Sequence, residues 1–434
     1  MVQLTTFERE LLEGSKGPGT AMAMRIVVAT ARALGAQSLV PVTSAHIDGC
    51  LYHGDGGVEF AEALRGGGAR VAVPTTLNVG ALDLLHPGVV RSDPHATEMA
   101  RRQMTAYVDM GAEATFTCAP YQVGHEPGLG EQVAWGESNA VAFVNSVLGA
   151  RTERYGDFLD ACCAVTGRAP RYGLHLDENR AADVIVDLSR IPTELTKRDV
   201  FYPVLGTWLG RALGQSVVAM RGLSHAPTRD QLKALGAAAA STGATALFHI
   251  VGVTPEAPTL SAALGLIEAN AGPPGWRTQP GTVLKEEVPV GPAELRSAVD
   301  RLSTAGPVDR IDAVAIGSPH CSRDELRALA RLVAGRRVTV PFYVCTARDT
   351  WKEAEAEGVA DVLRSAGVEV IVDTCVVVAP VLPEAGGVLM TNSGKFAHYA
   401  PANTGYGVVY GSLEDCVETA VSGRLTIDEE VWSW

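Results

Sequence analysis

The chain has 434 residues, 47% hydrophobic but only 6% aromatic, with 46 glycines and a formal net charge of -13. It carries no basic stripe to neutralise phosphates, which argues against a nucleic-acid partner. No membrane span is expected either, because the longest apolar candidate, 368–390, is broken by Glu369, Asp373 and Glu384.

Many glycines and few aromatics suit an α/β enzyme of two or three domains with tight strand–helix turns. Eight cysteines are too few for a disulfide framework, so free thiols in a reducing compartment are expected. The N-terminus lacks a basic segment followed by an apolar one, so the expected location is cytoplasmic.

Thr5 and Glu8 have capping-box spacing, and residues 20–34 have helical periodicity up to Gly35. The pattern predicts strands over 38–42 and 70–73, with a helix over 58–65 between them. Each strand is expected to run into a polar loop, Ser44 to Gly54 after the first and Pro74 to Gly80 after the second. In open α/β sheets ligands bind off the carboxyl ends of strands, which makes both loops candidates. A helix over 94–110 leads to a β-prone run, 114–117, ending at Cys118. Gly124, Gly128 and Gly130 then mark a loop before a helix start at Glu137, Ser138 and Asn139.

Helices follow over 138–148 and 156–166. The second contains Cys162 and Cys163, which read as core filler. A strand over 181–188 opens a further alternation: helix 200–213, strand 216–220, helix 228–240, strand 244–250, helix 258–270, then a loop at Gly272 to Gly275. In the last third the expected order is strand 310–316, helix 323–334, strand 338–344, helix 349–365, strand 368–372 and strand 387–390. The loop after the last of these carries Ser393, Gly394 and Lys395. The alternation divides into α/β lobes over 1–190, 191–300 and 301–434.

Cys118, Cys321 and Cys375 share a context: each follows a predicted strand, in a loop rich in Pro, Ser, Thr or Gly. Three thiolates are too few for a closed four-cysteine site. They suit an iron–sulfur centre with one iron open to substrate, where it would act as a Lewis acid. The other reading is three unrelated buried thiols.

Further motifs connect these residues. Ala45 to Gly49 (AHIDG), Pro74 to Asn78 (PTTLN), Thr117 to Tyr121 (TCAPY), Trp135 to Ala140 (WGESNA), Asn145 to Arg151 (NSVLGAR) and Ser393 to Lys395 (SGK) together resemble the aconitase X family. They fall in that family's order along essentially the whole chain. The resemblance implies an aconitase-like fold, with several α/β/α lobes and the active site between them. It implies a hydro-lyase acting on a small hydroxy acid, in which Cys118, Cys321 and Cys375 hold iron. The group would be an iron–sulfur cluster of open nuclearity or a single iron.

Glu137, Ser138 and Lys395 are then the expected catalytic residues. Gly49, Cys50, Leu51, Asn78 and Val79 join those three as substrate contacts, with Lys395 gripping the acidic substrate. The family occurs as a large subunit with a small swivelling subunit or as one fused chain. This length looks like the large subunit, and the resemblance places the base on a serine of the small one.

Two activities are known in the family, on phosphomevalonate and on cis-3-hydroxy-L-proline. The phosphomevalonate branch typically has Gly-Val-Ser at the first turn and Asn-Pro at the second. Here Gly49-Cys50-Leu51 and Asn78-Val79 stand instead, and Asp48 would repel a phosphate but favour an ammonium. The expectation is therefore hydroxyproline, with phosphomevalonate as the alternative. A catalytically silent iron-binding regulator and a zinc hydrolase using His46, Asp48 and His53 are the readings of other classes.

Overall fold

The computed structural model describes residues 2–266, 286–383 and 386–432. Helices α1 (Thr6–Glu13), α2 (Pro18–Ala33), α3 (Asp55–Gly66), α4 (Pro94–Asp109), α5 (Ser138–Phe143) and α6 (Leu159–Thr166) surround two small sheets. Strands β1 (Leu39–Pro41) and β5 (Arg168–Pro170) pair antiparallel. Strands β2 (Ala45–Ile47), β3 (Thr75–Leu77) and β4 (Ala134–Trp135) form a parallel sheet in the order β3-β2-β4. The Thr5–Glu8 capping box forms as expected. Met24, Val27, Leu64, Tyr107, Cys162 and Cys163 pack into one core, so the adjacent cysteines fill space as their helical setting implies.

Three expectations in this lobe shift, each for a local reason. The predicted strand at 70–73 instead lies beyond Pro74, at β3. Thr75 opens it, pairing with Ala45. The loop expected at Ser44 to Gly54 begins with a strand, β2, whose inward face is wholly buried. The run 114–117 is not a strand. Phe116 takes a φ of 40°, and the Thr115 side chain occupies the hydrogen-bonding groups of Leu77, accepting from its N–H at 3.0 Å and donating to its carbonyl at 2.9 Å.

The next sheet contains β6 (Val184–Asp187), β7 (Val218–Arg221), β8 (Phe248–Ile250) and β9 (Glu286–Pro289) in the parallel order β8-β7-β6-β9. Its helices are α7 (Thr193–Thr196), α8 (Phe201–Leu213), α9 (Arg229–Gly243) and α10 (Leu260–Ala263). The end of the helix expected over 258–270, and the Gly272 to Gly275 loop, lie outside the described residues.

The last sheet has five parallel strands in the order β12-β11-β10-β13-β14: β10 (Ala313–Cys321), β11 (Phe342–Thr346), β12 (Val368–Val372), β13 (Val388–Thr391) and β14 (Gly407–Tyr410). Around it lie α11 (Pro292–Leu302), α12 (Arg323–Val333), α13 (Arg348–Ala356), α14 (Val359–Ala366), α15 (Gly394–Thr404) and α16 (Leu413–Ser422). The helix expected over 349–365 is two, broken at Gly358, whose φ of 75° glycine adopts without strain.

A shared core joins the lobes: Trp135 and Phe143 pack in one cluster with Phe201, Phe248, Cys375 and Phe396. Among the described residues no helix is long and apolar enough to cross a membrane.

Candidate active site and metal centre

The parallel sheet of the first lobe delivers Asp48, Asn78 and Glu137 from the ends of three adjacent strands. The Asn78 N–H donates to Ile47 O at 2.9 Å and the Gly136 N–H to His46 O at 3.1 Å, so the ladder continues into the loops and fixes their order. The Asn78 amide donates to the Asp48 carboxylate, while Asn78 Oδ1 is buried without a partner. The Asp48 N–H donates to Asp160 Oδ2 at 2.5 Å, and Ala161 N–H to Asp160 Oδ1 at 2.7 Å. Gly136 is required here, because a Cβ would stand 2.3 Å from Asp160 Oδ2 and 3.1 Å from Asp48 Cβ.

This crowding of acids sets their protonation. Burial, then the charges of Glu137, Asp160 and Asp157, push Asp48 up to about 8 against the Asn78 hydrogen bond. Burial likewise pushes Asp160 up to about 7, against hydrogen bonds from backbone N–H groups.

Glu137 caps α5, with Oε2 accepting from Ala140 N–H at 2.6 Å. Its Oε1 receives Lys395 Nζ at 2.5 Å and the Ser138 hydroxyl at 3.3 Å. Lys395 stands in the first turn of α15, where a cation opposes the helix dipole. Helix stability therefore does not account for it. Gly394 lets that helix start press against its neighbours: a Cβ there would be 2.9 Å from Ala238 and 3.2 Å from Pro203. Burial works against the Lys395 charge, but Glu137 and Cys118 outweigh it and hold the ammonium above its ordinary range.

The segments that carry the three predicted thiols pack against one another. Cys118 Sγ accepts the His320 N–H at 3.3 Å, and each thiol is buried. Cys118 feels Cys375, and Cys321 feels Cys118. Burial pushes Cys118 up to about 12, opposed by Lys395. Cys375 is drawn down to about 7, first by the hydrogen bond from Cys345, against burial, with help from Val377, Ser318 and Lys395. Among the described residues no three His, Cys, Asp or Glu side chains converge on one point as ligands of a single ion would. Burial also holds the Cys321 thiol well above its ordinary value; the donors are soft thiols, with Lys395 and a backbone N–H opposing burial at Cys118, and soft sulfur donors fit an iron–sulfur group.

The loop carrying Asn78 is latched to the Cys375 loop. Gly80 N–H donates to Asp373 O at 2.8 Å, and Val372 N–H to Asp83 Oδ2 at 3.0 Å. Arg348 holds the Asp373 carboxylate with two bonds, of 2.7 and 2.6 Å.

Not every expected contact is placed for substrate. The fully buried Cys50 thiol turns inward and donates to Asn78 O at 2.9 Å, so it pins the two loops together and offers no side-chain contact. Gly49 O accepts from Gln103 Nε2 at 2.8 Å; Val79 is buried and Leu51 half-buried. His46 lies inside β2, with Nδ1 bonded to Thr76 Oγ1 at 2.9 Å, and among the described residues no three His, Cys, Asp or Glu side chains group as a zinc site would need. A cavity of about 570 Å³ reaches Cys321, Ser318 and Ser393 from the side of Lys197 and Lys233, but Asp48, Asn78 and Glu137 do not line it.

Sequence reasoning missed Asp160, Lys233 and His320. Asp160 contacts Asp48 across 112 residues of chain and carries no motif. Buried Lys233 bonds to Glu325 and, at 3.2 Å, to His320 O. His320 adjoins Cys321, the one signal the sequence offers. Burial holds its imidazole down at about 4, against the Thr374 hydrogen bond, so it is neutral.

Family models described as the first, second and third domains of aconitase X match residues 1–178, 182–272 and 311–422. The chain is 42% identical to a cis-3-hydroxy-L-proline dehydratase of Pseudomonas aeruginosa, over 99% of this chain and 72% of that protein. A phosphomevalonate dehydratase large subunit of Methanothermobacter thermautotrophicus is 38% identical, over 94% of this chain and 96% of that one. The crystal structure of the holo-form of aconitase X from Thermococcus kodakaraensis superposes with a TM-score of 0.82 at 32% identity, covering 96% of this chain and all of that one.

Proposed function

The chain belongs to the aconitase X family and is a hydro-lyase, and from that premise we propose that it dehydrates cis-3-hydroxy-L-proline. The observation that carries the substrate is the 42% identity, over nearly the whole chain, to two cis-3-hydroxy-L-proline dehydratases, from Pseudomonas aeruginosa and Hypocrea jecorina. Local chemistry agrees: a ring ammonium beside Asp48 and Asp160 favours their carboxylate forms and is held by them, whereas a phosphate gains nothing from ionising them.

In this reading Lys395 Nζ binds the substrate carboxylate while Glu137 Oε1 holds the ammonium in place, and Ser138 supports Glu137. Asn78 Oδ1 and Asp48 face the ring nitrogen. An iron–sulfur group on Cys118, Cys321 and Cys375 would supply a Lewis acid for departure of the hydroxyl. The proton leaves C2 and hydroxide leaves C3, together one water. The enamine that remains tautomerises to Δ1-pyrroline-2-carboxylate. Lys395 drains charge from the carboxylate and so acidifies the C2 proton.

No base is assigned within this chain. We assign it, with closure of the site, to a small swivelling partner subunit, and eight buried free thiols fit a cytoplasmic setting. The chain alone is then expected to assemble its metal centre yet turn over little substrate.

Phosphomevalonate is the second reading, favoured by coverage, since the chain spans 96% of the Methanothermobacter large subunit. Turnover of both substrates side by side, with the partner present, tests the choice. Faster dehydration of cis-3-hydroxy-L-proline supports the proposal, and faster dehydration of phosphomevalonate leaves only the hydro-lyase.

A further inference from the structure

We propose that His320 is the positioning residue that sets the three cysteine-bearing segments in register for the metal centre. The inference rests on the reading above that Cys118, Cys321 and Cys375 hold iron.

The residue before each cysteine is the point of attachment. Thr117 precedes Cys118, His320 precedes Cys321 and Thr374 precedes Cys375. The His320 ring bonds to both of the others: Nδ1 lies 3.1 Å from Thr117 Oγ1 and Nε2 lies 3.0 Å from Thr374 O. A carbonyl only accepts, so Nε2 carries the proton and Nδ1 accepts from the Thr117 hydroxyl. Thr117 Oγ1 in turn accepts the Ala119 N–H at 3.2 Å, which fixes the backbone on the far side of Cys118.

The main chain of His320 is engaged as well. Its N–H donates to Cys118 Sγ at 3.3 Å, and its carbonyl accepts from Lys233 Nζ at 3.2 Å, the cation that Asp230 and Glu325 hold. The ring is fully buried, and both ring nitrogens have partners. One side chain thus ties a loop of the first lobe to two strand ends of the third, each contact one residue from a thiol. A rotation of this ring would move Cys118 relative to Cys375. An ordinary core histidine has no reason to meet both other cysteine-bearing segments at the same offset.

The test uses the full chain, purified and loaded anaerobically with iron and sulfide. His320→Leu removes both ring bonds, His320→Gln keeps a donor near the Nε2 position, and His320→Asn keeps an acceptor near Nδ1. Thr117→Val removes the hydroxyl that bonds His320 Nδ1 and the Ala119 N–H, at nearly constant shape and with the Nε2 bond left in place, so a variant that folds is available if His320→Leu does not. The readouts are iron per chain, the rate of iron loss to a chelator, the visible and electron paramagnetic resonance spectra, and the thermal midpoint. Supporting partners of metal ligands are typically worth about 10–100-fold in metal affinity, so His320→Leu should lose iron faster by roughly that factor, with an altered spectrum. His320→Gln and His320→Asn should fall between it and wild type, and Thr117→Val should show a smaller change.

Wild-type iron retention and spectrum in the folded His320 variants, with only the thermal midpoint lowered, would overturn the inference and leave His320 as packing. Cys118→Ser, Cys321→Ser and Cys375→Ser separate the two claims. If they too keep their iron, the ligand reading itself is wrong. If they lose it while the His320 variants do not, only the positioning role is wrong.

Discussion

The strand ends of the first lobe and those of the third carry opposite chemistry. The first presents Asp48, Glu137 and, behind them, Asp160, acids close enough that burial and mutual repulsion keep protons on two of them near neutral pH. The third presents Cys321, Cys375 and the cation Lys395. Neither face is balanced alone. They meet where Lys395 reaches Glu137 across 258 residues of chain and where the His320 N–H reaches Cys118. A β-elimination needs something to take the hydroxide and something to grip the acid, and in the proposed function each lobe would bring part of both.

The largest effect should come from taking sulfur off this junction. Each of Cys118→Ser, Cys321→Ser and Cys375→Ser should abolish bound iron and all measurable dehydration with the circular dichroism spectrum unchanged. The controls Cys162→Ser and Cys163→Ser should keep iron and lower stability by about 1–3 kcal/mol, the cost of a buried hydroxyl with poor partners.

Next is the charge that crosses the junction. Lys395→Met leaves Glu137 buried and unpaired, so kcat/KM for the hydroxy acid should fall by roughly 3 kcal/mol equivalent, or about 100-fold. Steady-state kinetics checks this, and an unchanged kcat/KM would remove Lys395 from the site.

A subtler probe separates the acidic face. Folded, Asp48 keeps its proton to about 8, whereas its ordinary value is 3.8. Between those values the folded chain binds the extra proton, so this group's contribution makes stability fall as pH rises through the window and is absent below it. Asp48→Asn has no such proton, and its stability relative to wild type should rise from about pH 4 to about pH 8 in urea unfolding. Binding of a substrate ammonium favours the carboxylate, so KM for cis-3-hydroxy-L-proline should fall in wild type as pH rises toward 8 and lose that trend in the variant.

The smallest expected change is at Leu51, whose carbonyl already accepts from Gln103 at 3.4 Å. Leu51→Ser should cost under about 1 kcal/mol of stability at this half-buried site. It should lower hydroxyproline turnover if the Gly49 to Leu51 turn sets specificity, and unchanged turnover would move specificity elsewhere.

Alternating apolar runs and turn residues made the α/β class and most helices legible, and the motif set led to the family. Strand positions around 70–77 and 114–117 were not legible. A proline and a left-handed Phe116, with Thr115 standing in for backbone, decide them through contacts the local pattern does not encode. The thiols could be named because each lies in a distinctive Pro-, Ser-, Thr- or Gly-rich stretch, although Cys321 proves to be the last residue of β10, which runs past the strand end expected at 316. Asp160 and His320 could not be given roles, because those roles exist only through partners 112 and 203 residues away. Cys50 is the converse case: its motif position suggests a substrate contact, while packing turns its thiol into the core.

The most direct test of the account is spectroscopic: electron paramagnetic resonance and Mössbauer spectra of the anaerobic protein with the small subunit proposed as its partner, before and after adding cis-3-hydroxy-L-proline. The account predicts a thiolate-bound iron signal that shifts with this substrate and is lost in Cys321→Ser. A colourless zinc protein, or an iron signal that ignores cis-3-hydroxy-L-proline and responds to phosphomevalonate, would contradict it.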